Sequence, residues 1–548
     1  MELIRTAARN RAIALLECGV AAASLGTWSF SIVLTIYAYR EGGANAVGLA
    51  LMARMLPAAL AAPFTGLLAD RWPRRTVIMI STAARALALL AIAACVQSGA
   101  PFVAVIALGG IFTIFETLHR PSMAALLPHH ARTPAELAAG NVLWTTADYA
   151  GFLAGSLLAG TLVGLAGLPA ALLVCVAAFV VASATTFALP ADTRPPALPD
   201  HAVRGVASQL LEGVRTIAAH GELQLVTGLS AVAILTEGML DVLLVVAAIE
   251  LLDMGDSGVG WLNAAWGVGG LVSGALAVVL IGRGRLVSSL VFAAVVAGGC
   301  IALVGLFAQP AATLALLVAF GLSYGLLEGA LPMLTQRLVA DDVLARVFAV
   351  REALSVLAFA LAAVLAAGLV SLLGGRGALF AAATVLPLAG VVLRRRLGRL
   401  DAGLKAPEEL FLLLRALPMF APLPVAAIEN LALRVEIEHH DSGTKVIAQG
   451  DVGDRFYVIA EGEVEVHEDG VLRRVERRGE CFGEIALLRD VTRTATVTAT
   501  TPLRLLSLRR DDFLAAIGAH LRSAHEAQTI AAERLPVTAP PPHQTVGS

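Results

Sequence analysis

Charge is what this sequence has least of. Only 15% of its 548 residues are Asp, Glu, Lys or Arg, against about a quarter in soluble proteins, and its mean hydropathy is +0.79. Such a composition excludes a chain that is water-soluble throughout. The formal net charge is -2, so the basic face of a nucleic-acid binder is missing. Cysteine is sparse as well: Cys18, Cys95, Cys175, Cys300 and Cys481 lie far apart, four of them inside apolar runs. That spacing makes no metal knuckle and reads as inert, small apolar side chains. No nucleophile–base grouping, metal motif or nucleotide-hydrolysing loop stands out, which argues against an enzyme. Arg5, Arg9 and Arg11 precede an apolar run, but no small-residue cleavage site follows promptly. That run therefore reads as an uncleaved first span with its N-terminus inside.

What the sequence does have is long apolar runs. A helix needs about 20 apolar residues to cross a bilayer. By that ruler spans fall near 12–39, 45–69, 76–97, 102–127, 137–165 and 168–190, then near 222–251, 257–281, 286–307, 310–335, 344–372 and 376–394. The sum is about twelve transmembrane helices in two six-helix halves, 1–190 and 222–400. The basic residues gather on alternate connections: Arg71, Arg74 and Arg75; His119, Arg120 and Arg132; Arg283 and Arg285; Arg337 and Arg346; and Arg394 to Arg396. This bias places those connections, and both termini, in the cytoplasm; Arg40 and Arg376 run against it. Between the halves, 191–221 opens with Pro195, Pro196 and Pro199 and continues as an amphipathic helix over 203–220. Two such halves predict a substrate site between them, near the midplane.

The turn GLLADRWPRR, Gly66 to Arg75, joins the second and third spans. Taken alone it is a short positive-inside loop. Its Gly66, Asp70, Arg71, Arg74 and Arg75 also resemble the hallmark loop of the major facilitator superfamily, with Pro73 in place of the usual second glycine. The resemblance implies a gating role in which this loop helps latch the two halves. Gly151, Gly155 and Gly160 give the fifth span a small-residue face for close packing. They resemble the antiporter-type motif of exporters, although Ser156 stands where its proline would be. The overall style resembles bacterial drug, macrolide and siderophore exporters, which implies efflux of a small-molecule substrate.

Ionisable residues inside spans are costly and functional by default. Glu17, Glu116, Asp148, Glu237, Asp241, Glu328 and Glu352 fall there. Glu237 and Asp241, four apart, share one helix face and form a candidate proton-coupling or cation-recognition pair. Helix-end placement or pairing with Arg351 is the alternative. Trp28, Trp144, Tyr149, Trp261 and Trp266 either line a cavity or anchor and pack the helices.

From about Pro407 the texture changes. Helical runs at Phe411–Leu417 and Val425–Leu433 precede strand-like runs at Val435–Ile437, Lys445–Ala448, Phe456–Ala460, Val464–His467, Leu472–Glu476, Glu484–Leu488, Thr494–Ala499 and Leu503–Ser507, with glycine turns between. This pattern predicts a β-roll or jelly-roll domain over 407–535. A helix over 511–535 and a disordered tail at 536–548 would close the chain. Within the barrel, Gly483 permits close backbone approach and Arg493 offers a two-pronged donor for phosphate. Read alone, these residues serve equally as a structural loop with an ion pair. The run Phe482 to Val497, with the turn Gly450 to Gly462, is similar to the phosphate-binding cassette of cyclic nucleotide-binding domains. That resemblance implies Arg493 and Thr494 on the cyclic phosphate and Glu484 on the ribose 2′-hydroxyl. Gly483, Ile485, Ala486 and Ala495 would supply main-chain contacts. Thr494 suits cGMP as well as cAMP, so the base stays open. No helix-turn-helix follows, which argues against a transcription factor.

The expectation is thus a mainly α, multi-pass inner-membrane transporter with a C-terminal cyclic-nucleotide sensor. Its partners would be the lipid bilayer, a small-molecule substrate and cAMP or cGMP as regulatory ligand, with no cofactor, metal or nucleic acid. The alternative is a membrane-anchored receptor that does not transport.

Overall fold

The computed structural model describes residues 10–130, 134–190, 202–281, 286–339, 341–404, 408–423, 425–518 and 521–534; side chains of 62–71 and of scattered helix-end residues lie outside the described set. The described chain divides into two compact units, one ending at Gly398 and one beginning at Arg399.

The first unit is helical: α1 (Arg11–Arg71), α2 (Arg74–Ser98), α3 (Phe102–His130), α4 (Pro134–Phe187), α5 (Ala202–Ala219), α6 (Gly221–Val246), α7 (Gly255–Ile281), α8 (Leu286–Phe307), α9 (Pro310–Leu338) and α10 (Asp341–Leu404). Three are far too long for one crossing: the apolar parts of α1, α4 and α10 run for 51, 49 and 49 residues. Each is broken where glycine leaves helical geometry, at Gly42–Gly43 (φ 62 at Gly43), Gly167 (φ 81) and Gly374 (φ 70). These are left-handed conformations that an L side chain resists. Counting each limb separately, six span-length segments precede α5 and six follow it among the described residues. At the start of α1, Asn10 accepts the Ala12 N–H at 3.1 Å as an N-cap. Large apolar side chains such as Leu165 (82% exposed) and Leu372 (81%) face outward. That is sustainable in lipid and a liability in water.

The halves meet where α4 packs along α7 and where Gly48 of α1 lies against Ala363 and Ala367 of α10. A Cβ on Gly160 would stand 2.6 Å from the Cα of Gly260, so only glycine permits that backbone approach. Gly151 and Gly155 lie equally close to Ser24 and Leu25 of α1, and Ser29 donates to the Gly155 carbonyl at 3.0 Å. At the end of the bundle where the long helices break, Arg40 pairs with Asp256 and Tyr39 donates to Glu250. Both contacts run from the first half to the second and draw that end together.

The second unit carries α11 (Glu408–Ala416) and α12 (Val425–Arg434), then two four-stranded antiparallel sheets, then α14 (Arg510–Gly518) and α15 (Leu521–Glu533). Strands β1 (Glu436–His440), β8 (Leu503–Arg509), β3 (Arg455–Glu461) and β6 (Cys481–Phe482) form one sheet in that order. Strands β2 (Lys445–Ile447), β7 (Thr496–Ala499), β4 (Glu463–Glu468) and β5 (Val471–Arg477) form the other. β3 is buried on both faces, and its alternation splits the core. Phe456, Val458 and Ala460 pack with the helices through Leu414, Phe420 and Phe513. Tyr457 and Ile459 pack between the sheets with Val464, Val497 and Leu505.

One expected strand is a helix. Residues 484–488 form α13 (Glu484–Arg489), entered through Gly483 at φ 89 and closed by Asp490 at φ 54. The apolar run reads as a strand by composition. The left-handed glycine turns the chain out of β6 after two residues, however, and Glu, Ala and Leu then favour a helical turn.

Candidate functional site

In the second unit Gly483 and Arg493 are built against each other. A Cβ on Gly483 would stand 2.6 Å from Arg493 Nη1. Arg493 is 5% exposed; Nη1 donates to the Gly483 carbonyl at 2.9 Å and Nη2 to the Arg455 carbonyl at 2.7 Å. Those two bonds leave three of its five N–H donors for other acceptors. Burial lowers its pKa, opposed by Tyr457 and Asp454. Ile447, Val466, Arg474, Phe482, Thr494 and Val497 complete the walls of a small pocket with about 30 Å³ enclosed.

Glu484 is 1% exposed. Its Oε1 accepts from Arg534 Nη1 at 2.8 Å, while Oε2 is buried with no hydrogen-bond partner among the described residues. A hydroxyl donor fits that orphaned oxygen, since an unsatisfied buried acceptor costs ~1–3 kcal/mol. Arg534, directly after α15, also donates to the Cys481 carbonyl at 2.7 Å and pairs with Glu476 at 3.5 Å. Glu476 in turn pairs with Arg474 at 2.9 Å. Burial pushes the Glu476 carboxyl up to about 7, with Arg534 and Arg474 pulling it back down. The result is a chain of pairs, Arg474–Glu476–Arg534–Glu484, with both glutamates buried and both arginines partly exposed, running from the pocket wall to the end of the last helix. Sequence reading found neither Arg474, Glu476 nor Arg534. Their signal, charges at positions the fold buries, exists only once the fold is known.

In the first unit a cavity opens between the halves. One lobe of about 210 Å³ is lined by Trp28, Trp144, Tyr149, Phe152, Trp266 and Tyr324, with the carboxylates Asp148, Glu237, Asp241 and Glu328. A second lobe of about 380 Å³ shares the four carboxylates and adds Arg54, Arg85, Glu116, His119 and Glu352. The carboxylates are positioned by neighbours. Tyr324 donates to Glu237 at 2.6 Å, Tyr149 to Glu328 at 3.1 Å, and Ser24 to Asp148 at 2.9 Å. Glu237 and Asp241 thus both line the cavity. Glu17 does not: both its oxygens are buried with no hydrogen-bond partner among the described residues. Trp261, 48% exposed, lines neither lobe. Arg54 and Arg85, ionisable residues inside spans, were overlooked by a reading that counted only acids. Arg85 is 1% exposed, with its guanidinium 4.2 Å from the centre of the Phe179 ring. Among the described residues no group of three or more His, Cys, Asp or Glu side chains could hold a metal ion.

The family model described as Major Facilitator Superfamily matches residues 16–351, more than half of the chain. The chain belongs to the Major Facilitator Superfamily. It is accordingly a multi-pass membrane protein with a transporter domain. A second model, the cyclic nucleotide-binding domain, matches residues 437–520. Over 106 residues the chain is 40% identical to the cAMP-dependent protein kinase regulatory subunit of Eremothecium gossypii, covering 19% of this chain and 23% of that protein. Over 125 residues it is 35% identical to the cGMP-dependent protein kinase, isozyme 1, of Drosophila melanogaster, covering 21% and 16%. The chain therefore spans about a quarter or less of the length of these two relatives. Among solved structures, the regulatory domain of Toxoplasma gondii PKA with cAMP matches at 33% identity, 20% and 43% coverage and a TM-score of 0.19. The Thermus thermophilus Catabolite Activator Protein matches at 30% identity, 22% and 58% coverage and a TM-score of 0.20.

In this superfamily member the charged turn joins α1 to α2. The side chains of Gly66, Asp70 and Arg71 lie outside the described residues. Trp72 and Pro73 are extended and end the helix, and Arg74 opens α2. Arg75 donates to the Phe187 carbonyl at 2.5 Å and lies over the Phe187 ring, which ties the turn to the end of α4.

Proposed function

We propose that this protein is a secondary transporter that exports a small organic solute across the inner membrane, tuned by cytoplasmic cAMP or cGMP. The carrying observation is the cavity between the halves, reached by carboxylates from both and drawn together at one end by Arg40–Asp256 and Tyr39–Glu250. A central site with one closed end suits alternating access. The basic connections favour that closed end as the outer one, with both termini in the cytoplasm.

On this reading Glu237 and Asp241 couple proton or cation movement to transport. Gly66, Asp70, Arg71, Arg74 and Arg75 form the gating loop. The transporter reaches to about residue 400 and the sensor covers 407–535. Arg493 and Thr494 bind the cyclic phosphate, Glu484 Oε2 accepts the ribose hydroxyl, and Gly483, Ile485, Ala486 and Ala495 contribute main-chain groups. The relatives named for cAMP and cGMP support this class of ligand. The enclosed space is small, so the phosphate enters first and the base extends toward Ile447, Val466 and Arg474.

Nucleotide binding moves the C-terminal helices and the connector 398–407 and so biases inward- against outward-open states. The bias can be no larger than the nucleotide's differential affinity for those states. The test is substrate flux in proteoliposomes with and without cAMP or cGMP. Flux should change at saturating nucleotide, and unchanged flux alongside measured binding removes the regulatory role.

A further inference from the structure

Glu484 stands where two chain segments 50 residues apart meet. It opens α13, directly after Gly483, and is 1% exposed. Arg534, directly after α15, fills Oε1 at 2.8 Å and leaves Oε2 with no hydrogen-bond partner among the described residues. The same guanidinium is fixed from behind. Its Nη1 also donates to the Cys481 carbonyl at 2.7 Å, and its Nη2 lies 3.5 Å from Glu476. Burial works against its charge, but Glu484, Cys481 and Glu476 together raise its pKa above the ordinary value.

Arg534 reaches Glu484 because α15 lies on α13. Ala527 of α15 and Leu487 of α13 belong to one buried cluster, with Ile530 and Leu488 packed against it. The small side chains of Ala527 and Ala531, 0% and 1% exposed, let the last helix lie close. If α15 lifts away, the arginine leaves with it. Glu484 then has two escapes from a buried, unpaired charge. It can take up a proton, which turns one oxygen into a donor and removes the charge that strengthens its hydrogen bonds. Or it can turn toward water and away from the pocket. Both spoil it as an acceptor.

We infer that Arg534 is a positioning residue of the nucleotide site, holding Glu484 so that Oε2 accepts the ribose 2′-hydroxyl only while α15 is docked on α13. The pocket then selects cyclic ribonucleotides over their 2′-deoxy forms, and the hydroxyl reports occupancy to the last helix. By reciprocity, a ligand that engages Glu484 stabilises the docked helix by the same factor that docking strengthens the ligand. This deepens the cyclic-nucleotide reading of the pocket and rests on it.

The test is calorimetric binding of cAMP and cGMP, each against its 2′-deoxy counterpart, to the full-length protein in detergent. The ribonucleotide should bind at least about tenfold tighter, as a charge-assisted hydrogen bond requires. Arg534→Ala should cut that ratio to roughly threefold or less by weakening the ribonucleotide alone, and Arg534→Lys should recover part of it. A purely structural arginine would weaken both members of a pair alike and leave the ratio unchanged, and that result overturns the inference. The wild-type protein supplies a second measurement that needs no variant. Hydrogen exchange of the 521–534 amides should be at least about threefold slower with saturating ribonucleotide than with saturating 2′-deoxynucleotide. Equal protection overturns the inference as well. If none of the four nucleotides binds, the cyclic-nucleotide reading falls and takes this inference with it. If all bind with no preference for the ribose hydroxyl, that reading stands and only the role of Arg534 falls.

Discussion

The two units bury charge in opposite ways. In the nucleotide unit Glu476 and Glu484 are each paired with arginines, Arg474 and Arg534 on the first and Arg534 on the second, while both Glu476 oxygens and Glu484 Oε2 have no hydrogen-bond partner among the described residues. In the membrane unit the carboxylates of the smaller lobe border a cavity and accept bonds from Tyr149, Tyr324, Ser24 and Trp28. Neutral donors orient a carboxylate without cancelling its charge. The first arrangement fixes a scaffold around a small pocket, and the second leaves the carboxylates bordering an open cavity. Burial of an ion is tolerable either with a permanent partner or with a visiting one.

That contrast can be broken at four points. Arg534→Ala should have the largest effect, since it strands the Glu484 carboxylate in the interior. A loss of about 3–5 kcal/mol is expected for an unpaired buried charge, read by denaturant unfolding of the sensor signal, with Arg534→Lys recovering part. A loss below about 1 kcal/mol would mean that Arg534 does not offset the Glu484 charge.

Next comes Glu476. Its carboxyl is displaced from 4.5 to about 7 by burial, so the folded state keeps a proton that the unfolded chain releases. The resulting stabilisation is complete below about 4.5 and disappears as pH rises to about 7. By linkage this is worth roughly 3 kcal/mol. Glu476→Gln should flatten that part of the stability–pH curve, and an unchanged slope refutes the assignment.

Arg493→Leu removes charge-assisted donors worth roughly 2–3 kcal/mol. Nucleotide affinity by calorimetry should fall about 30- to 150-fold, and an unchanged affinity would remove Arg493 from the phosphate site. The smallest effect belongs to Arg40→Ala. Its pair with Asp256 is partly exposed and so worth ~0–1 kcal/mol. Flux should shift less than about fivefold, and abolished flux would mark that end as the main gate.

Much of the architecture was legible in order of residues. Apolar runs of bilayer length, the basic bias of alternate connections and the proline-rich interval before α5 placed the helical segments, because lipid forces each crossing to satisfy its own backbone. The helical positions of Glu237 and Asp241 put them on one face, and the resemblance of the run Phe482 to Val497 to a phosphate-binding cassette singled out Gly483 and Arg493, which the fold builds against each other. The reading failed at 484–488, where apolar composition suits strand and helix equally and Gly483 decides. It also missed Arg534, which lies 50 residues beyond Glu484.

By itself, then, the sequence determined which part of the chain is apolar enough to meet lipid, where its long helices run and where glycine turns punctuate the second unit. These follow from composition, periodicity and short-range spacing. Only the tertiary structure decided which carboxylates share a cavity with tryptophans and which are locked to arginines. That choice depends on side chains brought together from helices and strands scores to hundreds of residues apart, whose proximity no local pattern encodes.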